Sequence, residues 1–391
     1  MIQKTNVEME IPFFKAQIGQ EEIDSVIETL KSGWLTSGPK AKQFEQEFAE
    51  MVGAKFAIAV NSATAGLHLA LEALGVGPGD EVLVPTLTFA ATAEVVIHLG
   101  ATPVLVDCRE GDFNIDVDDM IAKITSKTKA VMPVHYAGHP CEMDEIEAVA
   151  KQHGLGIVED AAHAFPAKYR GRTIGSSSNV SCFSFYANKT ITTGEGGMIT
   201  TDDEAVANRM RIMSLHGLDR GAWNRFSKNG KWFYEILEAG FKYNLSDVAA
   251  AIGIGQLHQA EKFCVERKRI ALAYTEAFDG SPFVTTLEVQ PHVDHSWHLF
   301  VIKINQQNLT IDRGQFIEQL NASGVSTSVH YTPLHLHPLY RDRYGYTLES
   351  MPTASRIYEQ IISVPLFPGM TDEQMNYVIS NVNRIGEANQ K

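Results

Sequence analysis

Cysteine is scarce in this chain. There are four in 391 residues, Cys108, Cys141, Cys182 and Cys264, far apart and without a Cys-x-x-Cys pair. A metal or disulfide framework clusters its cysteines, so these are expected to be reduced thiols in a cytoplasmic protein. No stretch approaches the ~18 apolar residues of a membrane span. The first residues lack the basic start and apolar run of a secretory signal. Positive charge is outnumbered, with 33 Lys and Arg against 47 Asp and Glu, a formal net charge of −14 and a pI of about 5.5. That balance disfavours nucleic acid or an anionic membrane as the main partner. An anionic small substrate stays open, because the field inside a pocket can oppose the global charge.

Hydrophobic residues make up 44% and charged residues 20%, the proportions of a soluble globular protein. From residue 56 onward, short β-rich runs alternate with helical patterns. Phe56–Val60, Glu81–Val84, Pro103–Val106, Ala130–Val134 and Gly156–Val158 read as strands with helices between them. Such alternation predicts an α/β layer with a mostly parallel sheet, whose ligands sit beyond the strands' carboxyl ends. An irregular stretch, 216–243, is too long for a simple connection. A single long helix is expected from Ser246 to about Phe278. Beyond it, a strand over 297–304 and helices near 313–323, 354–362 and 372–385 read as α+β. The expected division is a large domain over 1–265, including an N-terminal arm, and a small C-terminal domain over 266–391.

The most informative segment is Ser184-Phe-Tyr-Ala-Asn-Lys189, followed by Thr-Ile-Thr-Thr-Gly-Glu-Gly-Gly197. A lysine between an apolar strand and a glycine-rich turn can leave the sheet edge and point into a cleft. Upstream, Leu155-Gly-Ile-Val-Glu-Asp160 ends a strand in acid. A strand-end carboxylate with a turn lysine is the pair that pyridoxal phosphate (PLP) requires, an amine for its aldehyde and an anion for its ring nitrogen. Asn61-Ser-Ala-Thr-Ala-Gly66 joins a strand to a helix; its first-turn amides can hold a phosphate, although an ordinary capped helix start looks the same. Ser184 can add a hydroxyl. Phe89 fits either stacking on a flat cofactor or core packing. His163 stands three residues beyond Asp160, as a neighbour of the cofactor or as a plain turn histidine. His330, His335 and His337 lack an acid or cysteine at ligand spacing, so no metal is expected, and a pocket wall touching an anionic substrate is the better reading.

Taken together, the motifs Ser32-Gly-Trp-Leu-Thr-Ser-Gly-Pro39, Asn61-Ser-Ala-Thr-Ala65, Glu159-Asp-Ala-Ala-His163, Ser184-Phe-Tyr-x-x-Lys189, Gly194-Glu-Gly-Gly197, Tyr243-Asn244 and His330-Tyr-Thr-Pro-Leu-His335-x-His-Pro338 closely resemble the nucleotide-sugar aminotransferases of the DegT/DnrJ/EryC1/StrS family. The resemblance runs from about Ile11 to the C-terminus. It implies a fold-type I PLP enzyme acting as a homodimer with composite active sites. Lys189 matches the Schiff-base lysine, Asp160 the partner of the ring nitrogen, and His163 the residue near the phenolic oxygen. Thr64, Ala65 and Ser184 match the phosphate cradle, Phe89 the ring-stacking position, and Asn244 a residue reaching the other subunit's phosphate. Trp34, Thr36, Arg225, His330 and Tyr331 are implied at the substrate. His216-Gly-Leu-Asp-Arg-Gly-Ala-Trp-x-Arg225 looks nearest to the branch that aminates C4 of UDP-4-keto sugars for lipopolysaccharide or surface glycans, with L-glutamate as donor. Gly221 and Phe165-Pro166 depart from that branch, which leaves the sugar open. A dTDP- or GDP-linked 3- or 4-keto hexose is the alternative substrate, and a non-catalytic protein keeping the PLP fold is the alternative class.

Overall fold

A computed structural model describes residues 8–219 and 234–391. In the first part, helices α1 (Gln20–Ser32) and α2 (Pro39–Val52) precede β1 (Phe56–Val60), α3 (Ala63–Ala73), β2 (Glu81–Pro85), α4 (Ala90–His98) and β3 (Thr102–Val106). Then come α5 (Val117–Ala122), β4 (Thr128–Val131), α6 (Met143–His153), β5 (Gly156–Asp160), the hairpin β6 (Lys168–Tyr169) and β7 (Arg172–Thr173), β8 (Val180–Ser184), β9 (Gly197–Thr201) and α7 (Glu204–Met213). Seven strands form one sheet in the order β1-β9-β8-β5-β4-β2-β3. The pairs from β3 across to β8 are parallel, and β9 runs antiparallel to both of its neighbours.

Both faces of this sheet are covered, and the two-residue period of its strands decides which side chain meets which layer. Ile58, Val60, Val82, Val84, Val158, Val180 and Cys182 pack with residues of α3, α4 and α7. Their neighbours Ala57, Ala59, Leu83, Ile157 and Phe183 pack with Phe44 and Phe48 of α2 and Ile146 of α6 on the other side. By the same alternation, Asp160 and Ser184 share the face of Val158 and Cys182. Glu159, one residue earlier, turns to the opposite layer, where His135 Nε2 and Asn179 Nδ2 meet its two oxygens at 3.0 and 3.1 Å.

The remainder comprises α8 (Asp247–His258), α9 (Ala260–Phe278), β10 (Val284–Thr286), β11 (Val293–Asp294), β12 (Phe300–Ile304), α10 (Arg313–Ala322), α11 (Pro338–Tyr344), α12 (Pro352–Tyr358), β13 (Ile361–Val364) and α13 (Asp372–Ala388). β10, β12 and β13 form an antiparallel sheet. Phe300, Ile302 and Ile362 of that sheet pack with Tyr274, Phe316, Val378 and Ile385 of α9, α10 and α13. Two expectations need correction. The long helix is two helices, broken at Gln259, which ends α8 and precedes α9 with φ −100° and ψ −2°. The helix expected over 354–362 stops at Tyr358, and Ile361 and Ile362 belong to β13, whose β-branched run pairs with β12. Residue 265, where the sequence divides the chain, lies within α9. Among the described residues no helix is long and apolar enough to cross a membrane.

Candidate active site

Beyond the carboxyl ends of β5 and β8 lies a cavity of about 380 Å³. Its wall includes Ser62 to Thr64 at the start of α3, Phe89, Asp160, His163, Ser184, Lys189, His330 and Tyr331. These come from five separate stretches of sequence that the sheet topology gathers at one edge.

Asp160 ends β5 and is only 5% exposed. Its Oδ2 accepts the Thr92 hydroxyl at 2.8 Å, and its Oδ1 accepts the Ala162 amide at 3.2 Å. Burial raises its pKa; the Thr92 hydroxyl, the Ala162 amide and the Lys189 charge oppose that rise. Lys189 follows β8 in a turn closed by its own amide, which donates to the Tyr186 carbonyl at 3.0 Å. Burial pushes its amine down to about 8, against the attraction of Asp160. No hydrogen-bond partner for Nζ exists among the described residues.

His163 Nε2 lies 2.9 Å from the Tyr331 hydroxyl, while Nδ1 has no partner among the described residues. Burial holds its pKa well below the usual imidazole range, and the Lys189 charge adds to this, so the ring is neutral. His330 Nδ1 meets Ser363 Oγ at 2.8 Å, and burial with the Lys189 charge pushes its pKa down to about 4. His335 is committed elsewhere, between the hydroxyls of Thr86 and Ser355. Phe89 is 61% exposed at the cavity wall, so it is not a core residue. Its ring centroid stands 5.9 Å from that of Tyr331.

Ser62 caps α3 by accepting the Ala65 amide at 3.1 Å. Ala65 itself is buried and does not line the cavity, whose wall here is Ser62, Ala63 and Thr64. The first-turn amides of Ala63 and Thr64 have no intrahelical acceptor and sit at the positive end of the helix dipole. β9 approaches closely here: a Cβ on Gly197 would lie 2.7 Å from Ala63 N and from Ser62 C.

Trp34, Thr36 and Asn244 are not in the wall of their own chain's cavity. Asn244 Nδ2 donates to Ser37 Oγ at 2.7 Å, and its Oδ1 accepts from Lys242 Nζ. Arg225 lies outside the described residues. Sequence reasoning missed Thr92 and Ser62. Ser62 carried a signal, a serine directly before a helical pattern; Thr92 looks like any threonine in an apolar helix.

The site fits PLP. Among the described residues, a desolvated amine without a partner shares the cavity with a buried carboxylate, an imidazole nitrogen is left without a partner, and a helix start lies close by with amides and hydroxyls suited to a phosphate. An α/β fold with that set at the ends of its strands is that of a PLP-dependent enzyme. Comparison with known proteins carries this further. The model of the DegT/DnrJ/EryC1/StrS aminotransferase family matches residues 16–383, and the chain belongs to that family. It is 47% identical over 386 residues to the spore coat polysaccharide biosynthesis protein SpsC of Bacillus subtilis, covering 98% of this chain and 99% of that one. Spr1654 of Streptococcus pneumoniae, described as a sugar aminotransferase and solved in its PLP form, superposes with a TM-score of 0.90 at 34% identity, over 97% of this chain and 99% of that one. Helicobacter pylori PseC, an aminotransferase of pseudoaminic acid biosynthesis, also gives 0.90, at 28% identity over 97% of this chain and 100% of that one. The protein is thus a PLP-dependent sugar aminotransferase of fold type I.

Proposed function

We propose that this enzyme moves an amino group from L-glutamate to C4 of a UDP-linked 4-keto sugar, in the cytoplasm, on a route to a surface polysaccharide. The observation that carries the reading is the pairing of the unpartnered Lys189 amine with the buried Asp160 carboxylate across one cavity. PLP, when bound, supplies an aldehyde that takes up amino groups and a ring that stabilises a deprotonated carbon.

The chain's own groups do the rest. Lys189 Nζ, lowered by burial to about 8, is neutral in roughly a tenth of molecules at pH 7, far more than an ordinary lysine, so it can carry a proton away from the donor's α-carbon and return one later. Asp160, anchored at both oxygens, holds the proton on the ring nitrogen. Neutral His163 offers a nitrogen to the phenolic oxygen, and Phe89 gives the ring an aromatic face. Thr64, Ser62 and Ser184 supply hydroxyls to the phosphate, with the first-turn amides of α3.

The enzyme works as a homodimer, and its sites are composite. Trp34, Thr36 and Asn244 sit off their own chain's cavity, which supports their delivery to the partner's cavity, Asn244 to the phosphate and the other two to the sugar. His330 and Tyr331 wall the sugar end from within. The UDP and C4 assignment rests on the segment His216–Arg225, where Arg225 is suited to a diphosphate and Trp223 to a uracil. SpsC, by its description a polysaccharide biosynthesis protein, supports the route.

The test is a panel of 3- and 4-keto sugars linked to UDP, dTDP and GDP, offered with labelled glutamate and scored by the mass and regiochemistry of the amino product. Preferred amination of a UDP-linked sugar at C4 is expected. Equal turnover of dTDP- or GDP-linked analogues, or amination at C3, would overturn the substrate assignment. Arg225→Ala is expected to raise KM for the sugar nucleotide far more than for glutamate.

A further inference from the structure

Asp247 begins α8 and is 1% exposed, a carboxylate almost wholly removed from water. Among the described residues it meets neither a lysine nor an arginine side chain in any hydrogen bond. Its Oδ1 instead accepts the amides of Gly38 at 2.7 Å and Ala41 at 3.0 Å, and its Oδ2 accepts the amide of Lys40 at 3.1 Å. Those are the entry and first turn of α2, more than 200 residues earlier in the chain. The first-turn amides of a helix lack intrahelical acceptors and concentrate positive potential, so a buried anion there is well compensated. The Asp247 amide closes the arrangement by donating to the Thr36 carbonyl at 3.3 Å.

The loop so held is the one bearing Trp34 and Thr36. Its shape follows from Gly38. A Cβ there would stand 1.7 Å from Trp34 Nε1, so the indole lies directly on the glycine whose amide Asp247 grips. Trp34 Nε1 also donates to the Ser37 carbonyl at 3.3 Å. Ser37 Oγ in turn donates to the Leu245 carbonyl and accepts from Asn244 Nδ2. One buried carboxylate therefore fixes the Trp34–Gly38 loop to the strand-like segment that presents Asn244. That segment is itself tied to the end of β1, where Asn61 N donates to the Tyr243 carbonyl at 2.7 Å.

We propose that Asp247 is a positioning residue for the sugar nucleotide, acting by setting the loop that carries Trp34 and Thr36 into the neighbouring protomer's active site. It touches no reacting atom. The proposal rests on the composite-site reading, and the experiment separates the two.

Asp247→Ala removes all three acceptor contacts; Asp247→Asn keeps one oxygen and tests the same point if the alanine variant does not fold. Loss of a charged acceptor of this kind is expected to raise KM for the sugar nucleotide about tenfold or more in Asp247→Ala holoenzyme, less in Asp247→Asn, with a much smaller change in KM for glutamate. Mixed dimers, made by co-expressing differently tagged chains, then decide where the residue acts. Paired with Lys189→Ala, an Asp247 variant should regain native KM, because the one site that keeps Lys189 receives its loop from a chain with Asp247 intact. The control pairs Trp34→Ala with Lys189→Ala. If that control recovers native KM and the Asp247 pair does not, the residue acts within its own protomer and the proposal is wrong. If neither pair recovers, the composite-site reading fails and the proposal with it. An unchanged KM for the sugar nucleotide in both Asp247 variants would also overturn it.

Discussion

The Thr92 hydroxyl stands 2.8 Å from Asp160 Oδ2, reaching it from the first turn of α4. Thr92 is itself fully buried, and its oxygen also lies 2.8 Å from the Thr88 hydroxyl. A carboxylate in so dry a place tends to take up a proton, and the hydroxyl opposes that tendency. The ring nitrogen of PLP needs the charged form.

Thr92→Val, which keeps the shape and removes the hydroxyl, should therefore weaken PLP binding. A hydrogen bond to a charged group contributes roughly 1.5–3 kcal/mol, which corresponds to about ten- to hundredfold in affinity. Fluorescence titration of cofactor-free protein reads this directly, and Asp160→Asn should lose more. Unaltered affinity in Thr92→Val would mean that Asp160 does not depend on this contact.

Lys189→Ala should abolish turnover and the yellow colour of the holoenzyme while leaving circular dichroism and thermal melting near native. Lys189→Arg should fail as completely, because a guanidinium stays protonated and is no nucleophile at neutral pH. Residual activity above a small percentage of native in either variant would remove Lys189 from its assigned role.

The amine of Lys189 is pushed down to about 8 by burial, from the ordinary lysine value. Only its neutral form attacks an aldehyde, so the rate at which cofactor-free protein colours on adding PLP should rise with pH, with a midpoint near 8. The direction follows from the sign: below that midpoint the protonated amine predominates and loading slows. Stopped-flow absorbance over pH 6 to 10 measures it; a midpoint near that of free lysine, ~10.4, would show the amine to be solvated.

Gly197→Ala adds one methyl where β9 passes the start of α3. All three of its nearest neighbours are backbone atoms, Ala63 N, Ser62 C and Phe183 O, at 2.7 to 2.8 Å, so no side chain can swing aside. The start of α3, proposed above to hold the phosphate, must shift. The expected outcome is a loss of PLP affinity larger than any loss of thermal stability of the cofactor-free protein, compared by titration and by melting. Equal losses of both would assign the glycine to folding alone.

What the sequence determined by itself is local in origin. Alternating apolar runs and helical periods predict the α/β layer, because the pleat and the helix turn sort side chains within a few residues. Lys189 and Asp160 are legible for the same reason: one follows a strand into a glycine-rich turn, the other ends a strand, and strand ends in such folds open into the ligand cleft. The misreadings were also local. An apolar run such as Ile361–Val364 has no period long enough to separate strand from helix, and pairing with β12 decided it. Tertiary structure alone placed Thr92 on Asp160, 68 residues away, and Tyr331 on His163, 168 residues away. It alone gave Asp247 to the start of α2. Each of these contacts joins residues whose sequence neighbours contain no hint of the partner. Each exists because packing helices on both faces of the sheet excludes water and leaves a buried polar atom only the partners the fold brings to it.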